Sequence, residues 1–500
     1  MKIAGLDIGT TGCKITVFSE TGERLTRAYR DYPVLRSVGK DEMDVSAIMT
    51  SVTAVIREAA KQYRDIGAIG VTSFGETFVM TDEAGRPLHP GMLYTDPRGE
   101  KECEALKEKL GEMRIAQITG LRPHSMYSLP KLMWLRTHQP EIYVRASRIF
   151  LIGDYVLWHL TGKACIDYSL ASRTMAFDTE KRCWSLEMLR AAGVDVRLLS
   201  QPVPTGFCCG EITADMAEGT GLGRDTMIVA VGHDQVAATV GAGAFTADTA
   251  VDGAGTVQCL TPVFNGRPAA EKMFDGYYAI APYLSDGQYV AYAFSYTGGS
   301  LIQWCLDTLC KAERERAKAL GVSVNRLLEQ EYEQAHGDAP SGLLVLPHFA
   351  GAATPYMDNG ARGVIVGMSM RTTTAEIYRA CMEGVAYEML LNCRRLEAKG
   401  VLFERVAATG GGAASDVWMQ MKADILNRPI TALETADAGT VGSAMLTGVA
   451  CGVFASLQDA AGYMVRAAGR FEPRGEMHEA YMKIFARYEG LYEAVRPHIG

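Results

Sequence analysis

Short apolar runs alternate along this chain with longer stretches in which apolar residues recur every three or four positions. Ile3–Leu6 and Ile15–Phe18 are two such runs, separated by a polar, glycine-rich tip; they read as strand, tight turn, strand. Val45–Tyr63 carries apolar residues at Val45, Ile48, Met49, Val52, Val55, Ile56 and Ala59, the pattern of an amphipathic helix. Ile66–Thr72 is a buried strand that runs into Ser73-Phe74-Gly75-Glu76. Phe150–Leu160 reads as a helix, and Pro202–Gly210 as a polar, turn-rich segment. Met227–Val231 is a strand that delivers Gly232-His233-Asp234-Gln235 to a helix over Val236–Gly243. Further on, Tyr289–Phe294, Gly342–Pro347 and Val406–Ala408 are strands, and Leu301–Leu309, Ala375–Ala398 and Asp416–Leu426 are helices. A helix over Thr440–Ala455 is expected to close the second half. Strands alternate with helices throughout, so the fold class is α/β.

The first hairpin has a second copy. Asp7-Ile8-Gly9-Thr10-Thr11-Gly12 is echoed by Asp252-Gly253-Ala254-Gly255-Thr256 after an apolar lead-in. Two such hairpins half a chain apart suggest two related lobes facing each other across a nucleotide cleft. We divide the chain into an N-terminal lobe, residues 1–246, and a C-terminal lobe, residues 247–500.

The chemistry of the tips fits that cleft. Gly9 and Gly12 allow positive φ and close approach of backbone N–H groups to an anion. Thr10 and Thr11 add hydroxyl donors, and Lys14 a point charge suited to phosphate. Asp7 is placed to hold a hydrated divalent cation. An ordinary glycine turn is the plainer reading of each hairpin alone. Gly298-Gly299 opens a helix and Gly410-Gly411-Gly412 links a strand to one, both leaving backbone bare for a nucleotide. Asp234, at a strand-to-helix switch, suits a general base, against the commoner role of helix cap. Tyr94, Asp96 and Arg98 alternate along an extended segment and could clamp a polyol, or form a surface turn with an ion pair.

Composition narrows the class further. A net charge of −8 over 500 residues argues against nucleic acid as partner. No run is long enough to span a membrane and no signal peptide is read. Twelve scattered cysteines without zinc or redox spacing suit a reducing, cytoplasmic setting. There is no GxxxxGK[ST] and no G-x-G-x-x-G after a strand, so neither a P-loop nor a dinucleotide fold is indicated.

Several motifs together resemble the FGGY carbohydrate kinases, of the superfamily that includes actin, hexokinase and the heat-shock chaperone ATPases. The matches are Asp7–Lys14, Asp252–Thr256, Met126-x-Ser128-x-x-Lys131-Leu132-x-Trp134-Leu135, Gly363-x-Ile365-x-Gly367-Met368, Gly410–Ser415 and Gly439–Ala444. The resemblance implies two actin-like ATPase (ribonuclease H-like) lobes, ATP and Mg²⁺ as cofactors, a small sugar or polyol as partner, and a homodimer as a common state. It implies Asp234 as the base that takes the proton of the sugar hydroxyl, Gln235 as a substrate contact and Asp7 as the residue that orders Mg²⁺. Thr10, Thr11, Lys14, Gly255 and Thr256 would hold the phosphates, with Gly299, Gln303, Gly410, Gly411 and Ser415 near the nucleotide. Gly75, Glu76, Tyr94 and Asp96 would line the sugar pocket. Where glycerol kinases carry Arg-Glu and xylulokinases Met-His, this chain has Gly75-Glu76, and the usual Trp is Tyr94. Loss of the arginine argues against glycerol, and Gly75 is expected to leave room for a longer chain. A pentulose of the xylulose or ribulose type comes first, a deoxyhexulose or a tetrose or tetritol second. A silent sugar-sensing binder or an assembly ATPase would share the fold.

Overall fold

The computed structural model describes residues 1–434 and 437–499. Its two halves are built on two sheets with one plan. The first sheet has six strands: β1 (Lys2–Ile8), β2 (Gly12–Phe18), β3 (Arg24–Asp31), β4 (Ile66–Ser73), β5 (Phe207–Glu211) and β6 (Met227–His233), in the order β5-β6-β4-β1-β2-β3. The second has seven: β7 (Thr249–Ala254), β8 (Gln258–Asn265), β9 (Ala279–Pro282), β10 (Gln288–Ser295), β11 (Arg405–Thr409), β12 (Ile430–Leu433) and β13 (Ala467–Phe471), in the order β9-β10-β8-β7-β11-β12-β13. In the first, β1 pairs antiparallel with β2 and parallel with β4, and β6 separates β4 from the antiparallel edge strand β5. In the second, β7 pairs antiparallel with β8 and parallel with β11, and β12 separates β11 from the antiparallel edge strand β13. The repeat signalled by two short hairpins is therefore a repeat of whole sheets.

Burial explains the central strands. Ile3, Ala4, Leu6 and Ile8 of β1 are all buried, because helices cover both faces of the sheet. On one face lies α1 (Val45–Gln62), which starts where Asp44 Oδ1 accepts from the Ser46 and Ala47 N–H groups at 2.8 and 3.3 Å. Its Val45, Ile48, Val52, Val55 and Ile56 are buried, as the apolar period predicts. Further helices include α2 (Asp234–Gly241), α3 (Gly299–Thr308), α4 (Asp416–Leu426) and α5 (Ala438–Ala450).

The structure corrects the sequence reading in several places. The helix expected to close the second lobe, α5, lies on the first sheet instead. Ser443 Oγ donates to the Gly70 carbonyl at 2.8 Å, and a Cβ on Gly5 would run into the Thr440 carbonyl. Gly241 of α2 and Gly442 of α5 meet where those helices cross, neither with room for a side chain. Phe207–Glu211, which overlaps the end of the segment read as turns, is the edge strand of the first sheet. Its sequence, Phe-Cys-Cys-Gly-Glu, has no clean alternation to betray it. Phe150 and Leu151 belong to a strand, Arg148–Leu151, paired with Phe78–Thr81, so the following helix starts at Ile152. Among the described residues no helix is long and apolar enough to cross a membrane.

Candidate active site

β6 ends at His233, and the chain turns there into α2, whose first residue is Asp234. The turn is pinned from below. The His233 N–H donates to Ser169 Oγ at 2.9 Å; Ser169 Oγ in turn donates to Asp167, whose other oxygen accepts from Thr205 Oγ1 at 2.5 Å. Asp234 thus reaches into a cavity of ≈ 260 Å³ between the two halves of the molecule. Burial, then the Asp7 and Glu76 carboxylates, push its pKa up to about 7, against the opposing pull of the Gln235 N–H and Arg173. His233 Nε2 lies 3.3 Å from Asp234 Oδ1. Burial first and Arg173 second drive the His233 pKa well below its usual value, so the ring is neutral.

Gly75, Glu76, Tyr94 and Gln235 line the same cavity, as does Thr10. Glu76 holds a left-handed backbone at φ 62° and is gripped by Arg173, whose Nε donates to Oε1 at 2.6 Å. Arg173 itself lies between the rings of Tyr127 and Tyr292, at 5.2 and 5.3 Å. The room expected beside Gly75 is taken: a Cβ there would stand 2.8 Å from Arg173 Cγ and 3.2 Å from His233 Cδ2. The glycine makes way for that arginine rather than for a longer sugar. Asp96 stands apart from the cavity. The extended segment expected to carry Tyr94, Asp96 and Arg98 is not continuous: a two-residue strand stops at Met92, and the turns that follow send Tyr94 and Asp96 different ways. Asp96 is buried, with both oxygens taken by Arg98 at 2.8 and 2.6 Å. Arg98 also reaches Glu42 at 2.6 Å. The ion-pair alternative describes Asp96 and Arg98, and the polyol-facing one describes Tyr94 alone.

The hairpin tip at Gly9–Gly12 is held by Tyr32, whose Oη donates to the Gly9 carbonyl at 2.5 Å and whose N–H donates to the Thr11 carbonyl at 3.1 Å. Neither Gly9 nor Gly12 adopts positive φ. Gly12 is required for another reason: a Cβ there would collide with the Tyr29 ring and, at 2.7 Å, the Arg30 carbonyl. Thr10 faces the cavity while Thr11 is exposed. Lys14 Nζ bridges Asp7 Oδ2 at 3.2 Å and Asp437 Oδ1 at 2.6 Å. Burial raises the Asp7 pKa, Lys14 opposing. Desolvation works against the Lys14 charge, but Asp7 and Asp437 outweigh it and raise its pKa.

Gly255, Thr256, Gly299, Gln303 and Gly411 line a second, wider cleft of ≈ 780 Å³ beside the first. The N–H groups of Gly298 and Ser300 donate to the Thr256 carbonyl, and that of Gly299 to the Gly255 carbonyl. These bonds tie the start of α3 to the second hairpin. Gly411 faces open space, and the neighbouring Gly410, at φ 93°, lies too close to the Ala254 carbonyl for any side chain. Ser300 Oγ is buried at this cleft, without a hydrogen-bond partner among the described residues. Ser415 lies outside it and caps α4 by accepting from the Trp418 N–H at 3.2 Å. The cleft therefore offers bare backbone on two sides and an unused hydroxyl, a lining that fits a nucleotide.

Sequence reading missed Arg173, Tyr127, Tyr292 and Arg122. Arg173 and Glu76 are 97 residues apart, so no short spacing could join them. The aromatic residues resemble ordinary core positions until the fold turns them to one cavity.

Comparison with known proteins places the chain in context. The sequence model for the N-terminal domain of the FGGY family of carbohydrate kinases matches residues 2–241, and that for the C-terminal domain matches residues 254–451. A xylulose kinase of Bacillus subtilis (strain 168) is 25% identical over 98% of this chain and 96% of its own. A gluconokinase of Bacillus licheniformis is 28% identical over 98% of this chain and 95% of its own. The crystal structure of a ligand-bound xylulose kinase from Lactobacillus acidophilus superposes with a TM-score of 0.89 at 23% identity, covering 100% of this chain and 99% of that one.

Proposed function

The chain belongs to the FGGY family of carbohydrate kinases, phosphotransferases that act on sugar hydroxyls with ATP, and from that premise we propose that it phosphorylates an open-chain ketose or polyol with Asp234 as general base. The supporting observation is the carboxylate of Asp234, held at a helix start, facing the cavity, with its pKa pushed up to about 7. A base poised near the working pH removes a hydroxyl proton most effectively. In this reading Gln235, Glu76 and Tyr94 orient the sugar, and Gly75 admits Arg173, which fixes Glu76. The nucleotide lies between the two hairpin tips. Thr10, Thr11, Lys14, Gly255 and Thr256 face its phosphates, and Gly299, Gln303, Gly410 and Gly411 border the rest. Asp7 would hold a hydrated Mg²⁺, since this small cation is commonly held by one or two carboxylates plus phosphates. When bound, ATP supplies the phosphoryl group and Mg²⁺ offsets its charge. Closure of residues 1–246 on 247–500 excludes water, which would otherwise compete as acceptor.

The relatives named above differ in acceptor, so family membership leaves the sugar open and the acceptor here is our proposal. A pentulose of the xylulose or ribulose type is the neutral acceptor we place first. The test is ADP release from Mg²⁺-ATP against xylulose, ribulose, fuculose, rhamnulose, erythrulose, erythritol and glycerol. Turnover with one pentulose and none without sugar supports the reading; ATP hydrolysis indifferent to sugar overturns it. A pH profile adds a second check. The base works only when ionised, so kcat/KM should rise about tenfold per pH unit below about 7 and level off above it. A profile flat from pH 5.5 to 8.5 would remove Asp234 from that role.

A further inference from the structure

The cavity that holds Asp234 has a cation at its lining that the proposed reaction does not use. Arg122 lies on the segment between the helices Glu112–Thr119 and Ser128–His138. Its guanidinium rests on two rings from the other half of the molecule, 4.0 Å from the Tyr277 ring centre and 4.6 Å from that of Phe274. Among the described residues it makes no hydrogen bond and no ion pair. This is unusual company for an arginine at a cavity wall. Arg173 in the same cavity has Glu76, and Arg98 nearby has Asp96 and Glu42.

Stacking occupies only the faces of a guanidinium. The five N–H donors lie in its plane and stay available, aimed by the rings that hold the plane. The support is strained: Tyr277 has φ 57°, a left-handed conformation that non-glycine residues seldom adopt. Glu76, at φ 62°, and Met357, at φ 50°, share both that conformation and this cavity. Such strain persists where surrounding structure enforces it, commonly at ligand clamps. A second donor comes from the same segment. His124 Nδ1 accepts from the Met126 N–H at 3.0 Å, and burial lowers the ring's pKa to about 4, so the ring is neutral with its proton on Nε2. The carboxylates of the cavity are elsewhere: the charges acting most strongly on Asp234 are Asp7, Glu76 and Arg173, not Arg122.

The lining is therefore polarised. Asp234 and Glu76 accept protons and hydrogen bonds; Arg122 donates, and His124, its Nδ1 already occupied by the Met126 N–H, has only a donor left to offer. We propose that Arg122, assisted by His124, reads a carboxylate at the end of the acceptor remote from the phosphorylated hydroxyl, so that a sugar acid is a better acceptor than the neutral sugar of the same length. A planar carboxylate matches the in-plane fork of one guanidinium. A phosphate dianion would call for more positive charge than one arginine and a neutral histidine supply.

This inference rests on the kinase reading, and the test separates the two. ADP release would be measured with matched pairs: ribonate and ribitol, xylonate and xylitol, gluconate and glucitol. One acid should exceed its polyol in kcat/KM by about ten- to hundredfold, the range for a charge-assisted hydrogen bond. Arg122→Gln should reduce that ratio by about tenfold or more, while Arg122→Lys, which keeps the charge, should retain most of it. A melting curve for each variant would show that the fold is intact. An acid-to-polyol ratio near one in the unaltered protein overturns the inference, as does a ratio that Arg122→Gln leaves unchanged. Turnover of neutral ketoses, or of sugar phosphates, with no acid accepted also overturns it and leaves the kinase reading standing. Absence of any sugar-dependent turnover overturns both.

Discussion

Asp234→Asn is expected to lower sugar-dependent turnover by about 10²–10⁴, the range for loss of a positioned general base. The amide has nearly the shape of the carboxylate and can still orient a hydroxyl, but it cannot take a proton at working pH. The groups proposed to hold the nucleotide lie on other elements, at the tips between β1 and β2 and between β7 and β8. ATP affinity, read by titration calorimetry, should therefore stay close to the original. The fold should stay intact as well. Burial beside Asp7 and Glu76 makes the ionised Asp234 costly, since that is what raises its pKa. A neutral side chain removes this cost, and the melting temperature should hold or rise. Turnover within a few-fold of the unaltered protein would sink the assignment. Loss of ATP affinity together with turnover would point to a structural role at the cleft.

The sequence was informative where chemistry and conformation coincide in a short stretch. Asp7–Lys14 is both a hairpin tip and a cluster of donors, and it folds as such, with Asp7 opposite Lys14 in register. Asp234 follows a strand and opens a helix, and both features are visible as an apolar run meeting Gly-His-Asp. Legibility ended where one residue's meaning depends on another far away. Gly75 looked like space for substrate, but its partner Arg173 lies 98 residues on. Asp96 and Tyr94 share a segment, yet a tight turn separates their fates, and turns shift side chains in ways that strict alternation cannot follow. The helix α5 carries the small residues Gly442, Ser443 and Thr447 that let it sit close on another surface, but nothing local says which surface. Arg122 is the extreme case, because its proposed role rests on its having no hydrogen-bond or ion-pair partner among the described residues.

The second hairpin shows how far the repeat has diverged, and it supplies the other large effect. Asp252 occupies the place in β7 that Asp7 occupies in β1, but it is sealed in: its side chain and that of Lys422 are both 0% exposed, with Lys422 Nζ 2.6 Å from Oδ2. Gln258 donates to the other oxygen. Asp7 keeps 13% of its side-chain surface and shares Lys14 with Asp437 at the cleft. One aspartate stays partly exposed beside Lys14, where the proposed function puts the phosphates, and the other ties α4 to the strands beneath Gly255 and Thr256. Breaking such a pair leaves an uncompensated charge in the core. Lys422→Met should therefore destabilise the protein by about 3–5 kcal/mol, measured by denaturant unfolding. Adding Asp252→Asn should recover much of that loss, because the amide can still bond to Gln258 and no charge remains buried. A coupling energy near zero between the two substitutions would show that Lys422 acts through its stacking on Trp418, 4.5 Å away, rather than through Asp252. ATP affinity discriminates further: if the pair supports the Gly255–Thr256 tip, the single variant should bind ATP more weakly at temperatures well below its melt, and the double variant should bind it nearly as before.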